Sequence, residues 1–141
     1  MYQDFLSLNY KIVSHKITRF ISKQVELSKK NGIVLGLSGG LDSSVCLLLA
    51  TKAIKKDRIV ALIMPEGGVT PKKDTDNACY LANELKVNYN EIHFESAKTN
   101  LLSHLPKNKL SAGNISARLR MTLLYHYAGI SDLLVLGTSD K

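Results

Sequence analysis

Two patterns of apolar residues alternate along this chain, and together they predict an α/β protein. Short runs that are almost wholly apolar are typical of strands buried on both faces of a parallel sheet. Three runs of this kind occupy residues 33–37, 59–63 and 133–136, and a weaker, partly alternating run occupies residues 89–94. We therefore expect four strands.

Apolar residues at a spacing near 3.6 predict helices between these strands. The predicted helical segments are 4–29, 43–55, 74–85, 98–105 and 111–128. We expect Asn31 and Gly32 to end the first helix, Asp74 to cap the third and Gly129 to end the last. The helix that begins at Ser43 is apolar nearly all round, so we expect the sheet and either another helix or a partner subunit to cover it.

Strands that alternate with helices imply parallel pairing with right-handed crossovers. Pairing the third strand with the second and the fourth with the first predicts an α/β fold with a sheet of order 3-2-1-4 and helices on both faces. We expect one domain over residues 1–141. Ligands of such folds bind at the carboxyl edge of the strands. Two polar loops that contain glycine, 38–43 and 137–140, begin at that edge, so we expect the functional site there.

The first of these loops reads SGGLDS and leads from the first strand into an apolar helix. This arrangement can surround an anion with backbone N–H groups and a helix N-terminus. Gly39 and Gly40 allow left-handed backbone angles and a close approach to phosphate oxygens. Asp42 suits an anion site only beside a cation such as Mg²⁺. The alternative is an ordinary turn in which an aspartate or serine, for example Ser43 or Ser44, caps the helix.

Composition and charge exclude some kinds of binding partner but do not identify one. A net charge of +7 suits nucleotides and would suit RNA equally, and 45% apolar residues suffice for a core. We expect no membrane partner, because no run reaches the ~18 apolar residues of a membrane span. The N-terminus, with Asp4 early in it, does not resemble a signal peptide. Cys46 and Cys79 lack CxxC spacing, so we interpret them as reduced thiols of a cytoplasmic protein.

Residues 113–125, GNISARLRMTLLY, form a second candidate motif on the last predicted helix. Arg118 and Arg120 are two positions apart, so they point about 200° from each other and cannot bind one phosphate from the same face. Asn114 and Arg118 are four apart and share a face, where an arginine can bind a phosphate or carboxylate through two parallel bonds. The alternative is a surface helix with scattered arginines.

These motifs resemble those of known families. SGGLDS resembles the SGGxDS pyrophosphate loop of the N-type ATP pyrophosphatases, which cleave ATP to AMP and pyrophosphate, whereas Walker A and GxGxxG motifs are lacking. GNISARLRMTLLY is similar to the GNxxARxRMxxLY segment of NAD synthetases, and LVLGTSDK is similar to that family's LVLGTxxK/H strand and loop. The resemblance covers essentially the whole chain and implies an adenine nucleotide alpha-hydrolase-like, Rossmann-like fold.

The resemblance also implies a set of site residues. Those that would bind ATP are Ser38, Gly39, Gly40, Leu41, Asp42, Ser43, Arg120 and Thr138, with Asp42 on Mg²⁺. Those that would bind deamido-NAD are Asn114, Arg118 and Tyr125. The loop after the second strand would pack near adenine. Its Glu66-Gly67-Gly68 insertion departs from the family pattern, so we assign no contact there.

The implied reaction is that of an ammonia-dependent NAD synthetase, a carbon–nitrogen ligase. The nicotinate carboxylate of deamido-NAD attacks the α-phosphate of ATP and releases pyrophosphate, and ammonia then displaces AMP from the adenylate. This reaction needs no protein nucleophile, which agrees with a sequence that shows no Ser-His-Asp or Cys-His constellation. Positioning, together with neutralisation of phosphate charge by Mg²⁺, loop amides and arginine, would supply the catalysis.

Two alternatives stay open. An RNA-thiolating pyrophosphatase would suit the positive charge, but such enzymes typically carry functional cysteines, often as CxxC, so nucleic acid is not the expected partner. A nucleotide-binding fragment or subunit would keep the ATP loop without activity of its own. The family continues past the position of Lys141 with a metal-binding glutamate and covering loops, so we expect a C-terminally incomplete chain with little activity alone. The resemblance also implies a homodimer, and the lack of a glutaminase domain favours free ammonia.

Overall fold

Four parallel strands form one sheet in the described structure, a computed structural model that covers the backbone of residues 9–138. The strands are β1 Gly32–Gly36, β2 Ile59–Ile63, β3 Asn88–Glu91 and β4 Leu133–Leu136. They lie in the order β3-β2-β1-β4, and Ile33 pairs with Ile59 on one side and with Leu134 on the other. The predicted fold class and strand order are therefore confirmed.

Five α-helices of the described residues precede or connect these strands. They are α1 Tyr10–Ser28, α2 Leu41–Ala53, α3 Lys72–Leu85, α4 Glu95–Ser103 and α5 Lys109–Ser131. A short 3-10 turn, Lys56–Arg58, leads into β2. Between residues 9 and 138, no helix combines the length and the apolar character needed to cross a membrane.

Each face of the sheet has its own hydrophobic core, because successive side chains along a strand point to opposite faces. On one face, Ile33 packs in a cluster with Leu47 of α2 and Ala78 of α3. On the other face, Val34 packs in a cluster with Ala128 of α5. Helices therefore cover both faces, as predicted, and the loops at the strand ends are free to form a site.

The starts of α3 and α5 differ from the prediction because other residues supply the caps. α3 follows Pro71, whose carbonyl accepts the backbone N–H of Asp74 at 3.0 Å. Asp74 thus lies inside the first turn, and the prediction that it caps α3 is wrong. α5 follows Asn108, whose side chain accepts the N–H of Ser111 at 3.0 Å, so this helix begins two residues before the predicted segment.

The ends of α1 and α5 also differ from the prediction. Lys29 closes α1 with a left-handed φ of 55°, and Asp132 closes α5 with a φ of 53°. The predictions that residues 31–32 end the first helix and that Gly129 ends the last are therefore wrong. β3 ends at residue 91, three residues before the predicted end of this strand, and α4 begins at residue 95. Residues 4–8 of the predicted first helix lie outside the described residues.

One face of α2 is exposed to solvent. Leu47 and Ala50 are fully buried, whereas Leu41 is 78% exposed and Val45 is 42% exposed. The sheet, α1 and α3 contact α2 on its other sides. Coverage by the sheet and by another helix agrees with the expectation for this apolar helix, and a partner subunit on the exposed face stays a prediction.

Side chains at the amino edge of the sheet connect the end of α1 to β2 and to α5. Arg58 donates from Nε to the carbonyl of Asn31 at 2.6 Å and from Nη2 to the carbonyl of Lys30 at 3.1 Å. Lys30 pairs with the Asp132 carboxylate at 2.6 Å. A Cβ on Gly32, which follows directly, would lie 1.9 Å from the Arg58 carbonyl oxygen. Residues 30–32 are thereby joined to positions 27 and 102 residues away along the chain.

Candidate active site

The loop between β1 and α2, residues 38–43, approaches the start of α3 closely and is called the glycine loop below. Gly39 has a φ of +81°, and a Cβ at this position would lie 2.0 Å from the backbone carbonyl oxygen of Asp74. Glycine tolerates the left-handed φ without strain and has no Cβ to clash with that oxygen. The glycine loop therefore lies between the N-termini of two helices, where backbone N–H groups can bind an anion.

The buried hydroxyl of Ser43 stabilises the conformation of the glycine loop. Ser43 is 4% exposed, and its Oγ accepts the N–H of Ser38 at 3.2 Å and lies 3.2 Å from the Gly40 carbonyl, to which it donates. Ser44 donates to the same carbonyl at 2.7 Å. Gly40 occupies the N-cap position of α2, and no side chain caps it in the described structure. The expectation that Ser43 or Ser44 caps this helix is therefore wrong, because both hydroxyls bond to the Gly40 carbonyl instead.

Two adjoining cavities form one groove along the carboxyl edge of the sheet. The first has a volume of about 420 Å³, and its lining includes Ser38 and Gly40. The second has a volume of about 560 Å³, and its lining includes Tyr125 and Thr138. The residues that line both cavities are Leu37, Ser38, Met64 and Arg120. Each cavity falls in the size range of small-molecule sites, so the groove can hold a nucleotide and a second ligand.

The groove brings together part of the predicted site. The predicted ATP residues that line it are Ser38, Gly40, Arg120 and Thr138, and the predicted deamido-NAD residue that lines it is Tyr125. The residues that complete the glycine loop without lining either cavity are Gly39, Leu41, Asp42 and Ser43. Asn114 and Arg118 are exposed on α5, outside the groove. Arg118 and Arg120 thus face different surroundings, as their spacing predicts.

Arg120 is restrained at three points. Its Nε donates to the Met64 carbonyl at 3.1 Å, and its guanidinium lies over the Phe94 ring, 4.8 Å from the centroid. Its Nη2 lies 3.8 Å from Oε2 of Glu66. A guanidinium has five N–H donors, and the Met64 carbonyl uses one of them. The donors that face neither Met64 nor Glu66 can bind an anion in the groove.

Glu66 is a buried carboxylate beside two cations. It is 7% exposed, and Lys98 of α4 donates a hydrogen bond to its Oε1. That bond, opposed by burial, lowers the pKa of Glu66, and the Ser116 hydroxyl and the charges of Lys98 and Arg120 lower it further. Glu66 is therefore ionised at neutral pH.

Hydrogen bonds close the loop that carries Glu66. Its backbone N–H donates to Thr70 Oγ1 at 2.9 Å, and the Thr70 N–H donates to the Glu66 carbonyl at 2.8 Å. The Gly67 N–H donates to Glu95 Oε1 at 2.6 Å. Hydrogen bonds from the N–H groups of Glu95 itself and of Gly67 lower the pKa of Glu95. The sequence pattern did not predict roles for Glu66, Lys98 and Glu95, and the available signal was a charged residue close behind a buried strand.

Asp42 is the predicted metal ligand, and its surroundings suit Mg²⁺ in one arrangement only. It is exposed in the first turn of α2, beside the glycine loop. Within residues 9–138, no three side chains of His, Cys, Asp or Glu are grouped to hold a metal ion. Mg²⁺ is commonly bound by one or two carboxylates together with substrate phosphates and water, and Asp42 fits that arrangement.

Cys46 and Cys79 are free thiols in α2 and α3. Burial, with a smaller contribution from the charge of Asp42, raises the pKa of Cys46. The thiolate is the nucleophilic form of cysteine, so a raised pKa makes Cys46 a weaker nucleophile at neutral pH.

A parallel sheet with a glycine loop at its carboxyl edge is the arrangement typical of α/β nucleotide-binding folds. Residues 13–141 match the family described as NAD synthase. The chain belongs to the NAD synthase family.

Several proteins similar to this chain are named as NAD or NMN synthetases. The NH(3)-dependent NAD(+) synthetase of Hyperthermus butylicus is 40% identical over 140 residues, which are 98% of this chain and 51% of that protein. The NH3-dependent NAD synthetase structure from Campylobacter jejuni is 34% identical with a TM-score of 0.89, covering 96% of this chain and 58% of that one. An NMN synthetase from Francisella tularensis is 31% identical with a TM-score of 0.87, covering 95% and 56%. The chain spans about half the length of the curated relatives.

Proposed function

We propose that the protein to which this chain belongs is an ammonia-dependent NAD synthetase, which makes NAD from deamido-NAD, ATP and ammonia. The observation that carries the proposal is the groove, where the glycine loop, Arg120 and Thr138 line adjoining cavities. Adjoining cavities suit a reaction between a nucleotide and a second substrate. The names of the relatives support the same function and favour it over an RNA-directed pyrophosphatase.

In the first proposed step, the nicotinate carboxylate attacks the α-phosphorus of ATP. An acyl–phosphate bond forms while the bond to the leaving pyrophosphate breaks. The N–H groups of the glycine loop and the guanidinium of Arg120 bind the phosphates and stabilise the charge that moves to pyrophosphate. Because the Met64 carbonyl and the Phe94 ring restrain Arg120 before any ligand binds, little side-chain freedom is lost in the complex.

In the second proposed step, ammonia attacks the carbonyl carbon of the adenylate. AMP leaves with the bonding electrons, and the nitrogen releases one proton as the amide forms. No protein side chain becomes covalently attached. The lining of the second cavity includes several apolar residues, among them Met121, Leu124 and Val135, and an apolar lining disfavours water beside the adenylate.

Mg²⁺ is proposed to bind at Asp42, where it would neutralise phosphate charge. Asp42→Ala removes the carboxylate, so the Mg²⁺-dependent affinity for ATP should fall by at least about tenfold. The free energy of unfolding should change by less than about 0.5 kcal/mol, because Asp42 is exposed. Titration of ATP with and without Mg²⁺ measures the effect, and Asp57→Ala removes a control carboxylate at the amino edge. Unchanged Mg²⁺-dependent affinity would show that Asp42 is not a Mg²⁺ ligand and only places a negative charge at the N-terminus of α2.

Asn114 and Arg118 are proposed to bind the part of deamido-NAD that extends beyond the groove along α5. Both side chains are exposed and lie one helical turn apart. Arg118→Lys keeps the charge but loses the planar pair of donors, so the KM for deamido-NAD should rise about tenfold. The affinity for ATP should not change. Arg19→Lys, on the exposed surface of α1, is the matched control, and a parent-like KM in Arg118→Lys would exclude this role.

The assay of the whole proposal uses the complete open reading frame that contains this chain. With ATP, Mg²⁺, ammonium and deamido-NAD, we expect equal amounts of NAD, AMP and pyrophosphate. Nicotinate mononucleotide in place of deamido-NAD tests the specificity that the name of the Francisella tularensis relative raises. Glutamine in place of ammonium tests the nitrogen source. ATP cleavage that depends on RNA would contradict the proposal, and ATP binding without cleavage would favour a nucleotide-binding subunit.

A homodimer in the cytoplasm is part of the same proposal. The exposed face of α2, with Leu41, Val45 and Leu48, offers apolar surface for a second subunit. Free cysteines in α2 and α3 suit a reducing compartment. Sedimentation of the protein over a range of concentrations should show a dimer that Val45→Glu weakens. A monomer at every concentration would contradict the subunit proposal.

A further inference from the structure

The cluster of Glu66, Lys98 and Arg120 contains one carboxylate and two cations, so its formal charge is +1. The two cations are not equivalent. Lys98 donates directly to Oε1, whereas Arg120 Nη2 stays 3.8 Å from Oε2, beyond hydrogen-bond distance. Lys98 therefore compensates most of the Glu66 charge, and the charge of Arg120 stays largely uncompensated.

Lys98 and Glu66 lie behind the groove rather than in it. Their side chains are 16% and 8% exposed, and neither lines the two cavities. Arg120 lines both cavities. A buried ion pair contributes little net stability compared with apolar residues of similar volume. Apolar residues could therefore replace Glu66 and Lys98 with little loss of stability. What they could not replace is the effect of this ion pair on the charge of the neighbouring Arg120 guanidinium.

We propose that Lys98 is a positioning residue for ATP, which acts through Glu66: it neutralises that carboxylate and so leaves Arg120 charged at the groove. The inference rests on the proposed function, because it takes a phosphate as the anion that Arg120 binds. Without Lys98, Arg120 would be the remaining cation beside Glu66, and guanidinium and carboxylate groups readily form bidentate pairs. Arg120 would move toward Glu66, and its charge would be cancelled before a ligand bound.

The other contacts of Arg120 should hold its side chain in place even when the charges of Glu66 and Lys98 are removed. The Met64 carbonyl and the Phe94 ring contact the guanidinium directly, without the Glu66 carboxylate as an intermediary. When Glu66 and Lys98 are both neutral, Arg120 keeps these two restraints and its full charge. Loss of Lys98 alone should therefore weaken anion binding, and additional loss of the Glu66 charge should restore it.

Calorimetry with Mg-ATP and with inorganic pyrophosphate, on the complete open reading frame, tests the inference. Lys98→Met keeps an unbranched side chain and removes the charge, and both affinities should fall about tenfold, which is about 1.4 kcal/mol. Lys98→Arg keeps the charge and should bind both ligands as the parent does. The double variant Glu66→Gln/Lys98→Met should also bind nearly as well as the parent. Lys98→Met also leaves the buried Glu66 carboxylate unpaired, so a purely structural role of Lys98 would make both affinities follow the free energy of unfolding of the same variants. A role in charge balance predicts that the loss and recovery of affinity persist under conditions where every variant is fully folded.

Parent-like binding by Lys98→Met, or a double variant as weak as Lys98→Met, would overturn the inference. If Lys98→Met does not fold, Glu66→Gln decides alone. Removal of the negative charge beside Arg120 should leave pyrophosphate affinity equal to or tighter than that of the parent, and a loss of about tenfold would contradict the inference. A parent protein that binds pyrophosphate but not ATP would overturn the proposed function. Pyrophosphate binding by the Lys98 variants would still test the inference in that case. A parent that binds neither ligand would overturn both.

Discussion

The two sides of the groove are stabilised by different kinds of contact. In the glycine loop, Ser43 bonds to residues five and three positions away, Ser38 and Gly40. On the Arg120 side, contacts join residues 32 and 56 positions apart. The first side depends on backbone geometry, and the second depends on charged side chains that a loop and two helices bring together. We therefore expect added bulk to disrupt the glycine loop and changes of charge to disrupt the Arg120 side.

The largest effect on stability should come from bulk in the glycine loop. Gly39→Ala should cost roughly 1 to 2 kcal/mol for the left-handed φ and roughly 1 to 3 kcal/mol more for the clash with the Asp74 carbonyl. Gly68→Ala is the matched control, because Gly68 has a φ of +74° but nothing lies within 4 Å of a Cβ there. Denaturant unfolding measures both losses. Equal losses would show that the start of α3 moves aside freely.

The Arg120 side should respond to acid. The folded state lowers the pKa of Glu66, chiefly through the hydrogen bond from Lys98. Such a carboxyl stabilises the fold fully above its unfolded pKa, about 4.3, and this contribution is lost as the pH falls through the lower folded pKa. The free energy of unfolding should fall below about pH 4.3 by about 1.5 to 3 kcal/mol, the typical range for a hydrogen bond to a charged group.

Urea unfolding from about pH 3 to about pH 7 measures this acid response. Glu66→Gln is the control, because an amide at this position does not titrate. The variant should be less stable than the parent at neutral pH and should lose less stability in acid. Parallel curves for the parent and Glu66→Gln would assign the acid response to other carboxyls.

A smaller effect should follow from the loss of one hydroxyl in the glycine loop. Ser43→Ala removes the buried acceptor of the Ser38 N–H, and the free energy of unfolding should fall by about 1 to 2 kcal/mol. Ser44→Ala removes one less buried bond to the Gly40 carbonyl, which water can replace, so its cost should stay within about 0.5 kcal/mol. Thermal unfolding of the two variants compares them. A larger loss in Ser44→Ala would mean that the Gly40 carbonyl, rather than the Ser38 N–H, controls the loop.

The parts of the molecule that could be predicted are those whose signals are local. Apolar runs mark the strands, and residue type alone indicates the turn at Gly39 and Gly40. The pairing of Glu66 with Lys98 could not be predicted, because it depends on how a loop and α4 pack at a separation of 32 residues. Helix ends were wrong where neighbouring residues could close the helix equally well, as Lys29 does for α1. The proposed roles of the site residues stay predictions that the variants above can test.

The contacts at the amino edge have a consequence for local opening of the fold. Because Arg58 and Asp132 both bind the residues that follow α1, the end of this helix cannot separate without breaking bonds to β2 and to α5. In native-state hydrogen exchange, amides in the last turn of α1 should open together with those of β1, as one cooperative unit. Amides near Tyr10, where the side chain of Asn9 caps the helix, should exchange by separate fraying. Closure of this unit joins residues 102 positions apart, so it should form later in folding than the local bonds of α2.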